Sequence, residues 1–261
     1  MNNRKINTTT PETRKKIILN LLKNNDSVSV QEIVNECNAS EITIRRDLSE
    51  LEGKGLLIRT HGGAIKNTAA ENLFTFNSKM NLNKGNKEYI CKIASKFIND
   101  KDIIFIDCGS TMSFLPKYLL KKESLTVITN SLPIVSELIN FDNIKLILIG
   151  GEILNERKAT YGRSAELSIS NYHADKAFIG TDGLSLSKGL TSFDEKESLI
   201  TLKMAENADE VFLLCDSTKI EKESLVKVVP ISIITHILTD KDLNTKFISK
   251  YKKDNVNLIN E

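Results

Sequence analysis

Tryptophan is absent from this chain of 261 residues, and histidine occurs only three times. The four cysteines, Cys37, Cys91, Cys108 and Cys215, stand singly with no C-x-x-C pair, so spacing yields neither a disulfide framework nor a metal-ligand set. Free thiols in apolar segments suit a reducing compartment. The opening MNNRKINTTT carries charge but no apolar stretch, which argues against a secretory leader. No apolar run approaches the roughly 20 residues that span a bilayer. A cytoplasmic protein without a membrane partner, metal or cofactor is the expectation. A strong charge of either sign is also lacking, the net value being +2. Its distribution is uneven: residues 1–66 carry 11 Lys/Arg against 8 Asp/Glu, and residues 67–261 carry 25 against 26. That mild basic bias is compatible with an anionic partner at the amino end.

The length favours two domains. In the amino-terminal third, Thr10-Pro11-Glu12 combines an N-cap, a proline at the first helical position and an acid at the positive end of the helix dipole. Ile18, Leu21 and Leu22 form the apolar face that follows. Ser29-x-x-Glu32 reads as a capping box opening a second helix with Ile33 and Val34 inward. Ser40 caps a third helix in which Ile44, Leu48 and Leu51 recur at i, i+4 and i+7, and Gly53 and Gly55 end it. With that face inward, Glu41, Thr43, Arg45 and Arg46 occupy the outer part of the first turns. In a helix-turn-helix this end of the second helix enters the major groove. Arginine there grips guanine or clamps phosphate, and Thr43 can touch a thymine methyl or a phosphate. The run LLIRTHGGAI then reads as two short strands about a glycine turn, a wing carrying Arg59 and His61. Adjacent arginines alone are most often a solvated face; helices and wing in the expected order and length change that reading. Asp47 is expected to orient an arginine or to lie on the helix surface.

The run from Thr13 to Ala64, with Arg14, Ser40, TIRRDL and R-x-HGGA, resembles the DeoR family of bacterial transcriptional regulators. The resemblance implies a winged helix-turn-helix that binds double-stranded operator DNA through Ser40, Glu41, Thr43, Arg45, Arg46, Arg59 and His61. The domains are expected at 1–66 (DNA-binding), 67–84 (a linker whose Phe74 and Phe76 dock on a domain) and 85–261.

Beyond the linker, DIIFID, LTVITN, IKLILIGG, KAFIGTDG, EVFLLCDS and ISIITHILT are short β-branched runs, several separated by helical stretches. That is the pattern of an α/β domain with a largely parallel sheet. Ligands bind at the carboxyl ends of such strands. FIDCGSTMSFL reads as strand, turn and helix, with Gly109, Ser110 and Thr111 offering N–H groups and hydroxyls to an anion at the helix start. Thr129, Asn130 and Ser131 repeat the plan. Gly150 and Gly151 end a third strand; Gly180, Thr181, Asp182 and Gly183, followed by Thr191 and Glu197, belong to a fourth; Asp216 and Lys219 follow a fifth. A single such turn is ordinary capping chemistry. Five together combine donors for a phosphate with carboxylates for sugar hydroxyls, and no glycine-rich nucleotide motif is present. Cys108 and Cys215 read as packing residues, since no adjacent histidine supplies a base.

The DeoR resemblance continues to about Asp240. It implies a second domain like the ribose-5-phosphate isomerase and CoA-transferase fold that senses a phosphorylated sugar, and it adds Asp107 to the pocket. Lys79 stands where an arginine is usual, Thr201-Leu202 replaces a frequent Lys-Arg pair, and Ile220-Glu221 a frequent Phe-Gly. The function implied is a repressor of a carbohydrate-utilisation operon, a homodimer or homotetramer and not an enzyme. The rival is a sugar-phosphate isomerase-like enzyme with an appended DNA-binding domain, in which Asp182, Glu197, Asp216 and Lys219 would transfer protons.

Overall fold

Helix α1 (Pro11–Asn24) starts where its cap is made: Thr10 Oγ1 accepts the Thr13 N–H at 3.2 Å, and Pro11 occupies the first turn. The computed structural model describes residues 10–53, 56–66, 76–254 and 256–261. The chain divides into two units, Met1–Thr75 and Phe76–Glu261.

In the first unit, strand β1 (Ser27–Ser29) leads into helix α2 (Val30–Cys37), with both halves of the Ser29–Glu32 capping box formed. Asn38, left-handed at φ 49°, turns the chain toward helix α3 (Glu41–Gly53). Strands β2 (Leu57–Arg59) and β3 (Gly63–Lys66) pair antiparallel, Ile58 opposite Ile65, as the wing hairpin expected. The sequence reading missed β1, which joins the other side of β3. Three polar-flanked residues carry too little pattern to be read as a strand. Ile18, Leu22, Ile33, Cys37, Ile44, Leu48, Leu51 and Leu57 form one buried core.

The second unit is built on a seven-stranded sheet. Its spatial order is Leu258–Ile259, His236–Leu238, Ala208–Leu214, Ala174–Ile179, Ile103–Ile106, Leu125–Thr129 and Ile144–Leu148, and every pairing is parallel. Alternate residues serve two cores. Phe105, Ile128, Ala177, Ile179 and Leu213 pack with Ala165, Ile169, Ile200 and Met204 of the helices Arg163–Ile169 and Glu195–Glu206. Ile104, Ile106, Val127, Phe178 and Phe212 pack with Ile90 and Ile93 of the helix Lys84–Ala94 and with Ile134 and Leu138 of Leu132–Leu138. Burial on both faces is why these strands read as continuous apolar runs.

Several details differ from expectation. The segment after Asp107–Thr111 is a pair of 3-10 turns, Met112–Phe114 and Pro116–Tyr118, rather than an α-helix. Pro116 lacks the N–H that a continuous helix would need there. In ISIITHILT only His236–Leu238 is strand; Ile231–Ile233 is a 3-10 turn after Pro230. Phe74 lies outside the described residues, whereas Phe76–Asn81 is helical and belongs to the second unit, with Phe76 buried and its N–H donating to Glu156 O at 2.9 Å. Two small antiparallel additions were unread: Glu152–Leu154 with Ala159–Tyr161, and Gly183–Ser185 with Gly189–Ser192 and Val226–Lys227. Among the described residues no helix is long and apolar enough to cross a membrane.

Candidate functional site

Helix α3 turns Ile44, Asp47, Leu48 and Leu51 inward. Buried Asp47 receives Arg14 Nε at 2.6 Å and Nη2 at 3.3 Å, tying α1 to α3. That hydrogen bond is the main reason the Arg14 pKa lies above its ordinary value, in spite of burial. Ser40 Oγ accepts the Thr43 N–H at 3.3 Å and lies 2.8 Å from Thr43 Oγ1, so this pair caps the helix. Arg45 folds back on Glu41, with Nε and Nη2 donating to Oε1 at 2.9 and 2.7 Å. Arg46 extends into solvent, its side chain 83% exposed and 3.7 Å from Glu50. In the wing, Arg59 braces α3: its N–H donates to Glu52 Oε1 at 3.0 Å and its Nη1 to Ser49 Oγ at 2.7 Å. His61 is exposed at the hairpin tip. On the outer surface of α3, Arg45 and Arg46 thus lean on acids of their own helix, Glu41 and Glu50, partners that a phosphate can replace.

In the second unit the carboxyl ends of the central strands open into a cleft. Asp107 to Thr111 follow the strand Ile103–Ile106, and Gly180, Thr181 and Asp182 follow Ala174–Ile179. Glu197 and Thr201 come from the helix Glu195–Glu206, Lys219 from a 3-10 turn, Lys79 from Phe76–Asn81 and Arg157 from a hairpin turn. Several cations lie in or beside the cleft. Lys79 Nζ meets Asp182 Oδ1 at 2.6 Å, and Lys219 Nζ donates to Thr181 O at 2.6 Å. Lys87, only 3% exposed, donates to Ser110 Oγ at 3.0 Å and to Lys79 O. Burial first, then the charge of Lys219, pushes the Lys87 pKa down to about 8. Burial opposes ionisation of Asp182, but Lys79, Lys219 and Arg157 outweigh it and hold that carboxyl well below its ordinary range.

Two further carboxyls, Asp107 and Glu197, line the same cleft. Burial pushes Asp107 up to about 7 in spite of the hydrogen bond from Thr201 Oγ1 at 2.8 Å, and Glu197 adds to the rise. Burial also raises Glu197, against the opposing charge of Arg157 at 3.2 Å. Cys108 and Cys215 are buried; burial carries the first thiol well above its usual value and the second up to about 12. Cys108 Sγ lies 2.9 Å from Tyr161 Oη. Neither thiol is poised as a nucleophile. The cleft therefore sets Lys79, Lys219 and Arg157 among the carboxyls of Asp107, Asp182 and Glu197, with buried Lys87 behind Ser110, and these groups can bond an anion and hydroxyls.

Of the residues expected to bind ligand, Asp107, Gly109, Ser110, Thr111, Gly180, Thr181, Asp182, Glu197 and Lys219 line the cleft. The others serve the scaffold in this structure. Thr129 Oγ1 donates to Ile106 O at 2.7 Å and accepts the Ser131 N–H at 3.1 Å, and Asn130 Nδ2 donates to Thr160 O at 3.0 Å. Gly150 and Gly151 lead into the hairpin; a Cβ on Gly151 would lie 2.4 Å from Tyr161 O. A Cβ on Gly183 would lie 2.6 Å from Lys222 O, while Thr191 Oγ1 donates to Gly183 O at 3.1 Å. Asp216 caps the turn before Lys219 and accepts from Asn83 Nδ2 at 3.2 Å. Strand-end hydroxyls and glycines meet the demands of turns and of ligands alike, and sequence does not separate the two. Lys79, Lys87, Arg157, Ser192 and Thr201 were missed as site residues. For Lys87 a signal existed: it shares a helix face with buried Ile90, Cys91 and Ala94, a core position that lysine almost never takes without a partner.

A winged helix-turn-helix followed in the chain by an α/β unit with a charged cleft defines a class: DNA-binding regulators that carry a sensor domain. Two family profiles match, the DeoR-like helix-turn-helix domain over residues 14–70 and the DeoR C terminal sensor domain over residues 82–241. The chain belongs to the DeoR family of transcriptional regulators. It is 31% identical to the HTH-type transcriptional repressor GlcR of Bacillus subtilis, over 95% of this chain and 95% of that protein. It is 32% identical to the L-fucose operon activator of Haemophilus influenzae, over 88% and 92%. Among solved structures, ribose 5-phosphate isomerase A from Methanocaldococcus jannaschii shares 19% identity over 53% of this chain and 55% of its own, with a TM-score of 0.39. That likeness is one of partial fold.

Proposed function

We propose that this regulator represses a carbohydrate-utilisation operon and that a phosphorylated sugar in the cleft sets its affinity for operator DNA. The observation that carries the ligand class is the gathering of Lys79 and Lys219 in the cleft with Lys87 behind Ser110, alongside the carboxyls of Asp107 and Glu197. A buried lysine, Lys87, with the half-buried Lys79 and Lys219 close enough to lower its pKa, favours a dianion, and the carboxyls of Asp107 and Glu197 favour hydroxyls. A sugar phosphate has both. The name of GlcR supports the repressor reading, and that of the L-fucose operon activator supports the link to sugar operons but not the sign.

Helix α3 serves as the recognition helix, with Arg45 and Arg46 exchanging Glu41 and Glu50 for DNA and His61 in the wing reaching the backbone. A homodimer or homotetramer would place two such helices one DNA turn apart. The site fits binding better than proton transfer, because Asp182 and Glu197 are engaged by Lys79 and Arg157. Fluorescence anisotropy with DNA flanking its own gene, titrated with a panel of phosphosugars, tests the proposal. The expected result is a lower DNA affinity with at least one of them. No change with any, or aldose–ketose interconversion at enzymatic rates, would overturn it.

A further inference from the structure

Ile42 is the most exposed large apolar side chain among the described residues, at 83%, against 65% for Ile139. Exposed aliphatic residues are ordinary on protein surfaces, so exposure alone says nothing. Position does. At 100° per residue the inward directions of Ile44, Asp47, Leu48 and Leu51 average to a line almost opposite Ile42. Ile42 therefore stands at the centre of the outward face, in its first turn, one turn ahead of Arg46 and two ahead of Ser49.

Its neighbours are committed elsewhere. Glu41 holds Arg45, and Thr43 is half-buried with its hydroxyl 2.8 Å from Ser40 Oγ. Thr43, expected to touch a thymine methyl or a phosphate, has its hydroxyl at the Ser40 cap, and the aliphatic group that projects furthest from this turn is that of Ile42. A β-branched residue is also a weaker helix former than alanine at a solvent-facing site, so neither packing nor propensity accounts for it.

The first turn of a recognition helix meets base edges in the major groove. There the one apolar feature among the four bases is the thymine C5-methyl group. We propose that Ile42 is a specificity-determining residue that reads a thymine methyl in each half-site, while Arg45 and Arg46 supply phosphate and guanine contacts. The inference rests on α3 being the recognition helix.

The test selects duplexes from a randomised pool with the full-length wild-type protein and with Ile42→Ala, then measures binding by anisotropy. Alanine strengthens an exposed helical site, so the variant folds; its far-UV spectrum and melting temperature check this. Wild-type sites should share a thymine at one position per half-site. Replacing that thymine with deoxyuridine, which removes only the methyl, should weaken wild-type binding about three- to tenfold. Ile42→Ala should lose a similar factor on the thymine duplex and be indifferent to the uracil exchange. A variant that retains the thymine preference and the uracil sensitivity overturns the inference. Arg46→Ala separates the two levels. If it weakens binding while Ile42→Ala does not, the methyl contact alone is wrong. If both variants bind like the wild type, or the wild type selects no DNA, the recognition-helix reading falls as well.

Discussion

Lys87 occupies a site that packing alone would give to an apolar residue, and the consequences are measurable. Its pKa falls from 10.5 to about 8 in the folded protein. The folded state therefore holds fewer protons than the unfolded chain between those values, so this group makes stability rise as pH climbs through that window. Ligand binding runs the other way, because a dianion needs the ammonium form. Protection by inorganic phosphate in thermal-shift assays is expected to decline above about pH 8. Lys87→Met should abolish that protection while leaving the melting temperature of the free protein at pH 7 equal or higher, since a buried charge is removed. A phosphate response that survives in Lys87→Met would place the anion elsewhere. Arg14 is the opposite case, a buried cation with a two-pronged partner. Arg14→Met strips Asp47 of that partner and is expected to destabilise the amino-terminal unit by about 3 kcal/mol, read by denaturant unfolding. From the bare sequence Asp47 could orient an arginine or lie on the helix surface; its burial against an arginine 33 residues away is a product of the fold.

Among the elements, the wing shows how neighbouring glycines differ. A Cβ on Gly62 meets nothing within 4 Å, whereas one on Gly63 would lie 2.0 Å from Val28 O of β1. Gly62→Ala is expected to leave stability within about 0.5 kcal/mol of wild type, and Gly63→Ala to cost about 2 kcal/mol or more by separating β3 from β1. Equal melting temperatures for the two would mean that the wing does not pack as described. The capped helices α1, α2 and α3 were legible because caps and 3.6-residue periodicity are local. The strand β1 and the small hairpins were not, because they exist only through partners distant in sequence. The 3-10 turns after Thr111 change the ligand chemistry too. Without a long helix at that loop there is little macrodipole, and under the proposed function the attraction for an anion comes from lysines on three other segments.

For the molecule as a whole, regulation is a coupling between cleft and DNA, and coupling is reciprocal. If a phosphosugar lowers operator affinity tenfold, saturating operator must lower phosphosugar affinity by the same factor. Paired anisotropy and calorimetric titrations should close that cycle. A ligand that binds with equal affinity to free and DNA-bound protein shifts nothing. If Arg45 and Arg46 contact phosphate as proposed, DNA affinity should also fall as salt rises.

The sequence by itself determined what short-range physics controls. It placed the three helices and their caps, the wing hairpin with its glycines, the alternation of apolar strands and helices, and the outward arginines of α3. Tertiary structure decided which polar groups share a site. Lys79, Lys87 and Lys219 lie on three different segments, and the parallel sheet brings them to one end of the central strands. Thr129, Asn130, Gly183 and Asp216 look equivalent to Ser110 or Thr181 as residues, yet fold into turns and hairpin contacts. The reason is physical: a cap is made by residues three apart, whereas a charged cleft is made by whichever side chains the sheet order sets against one another.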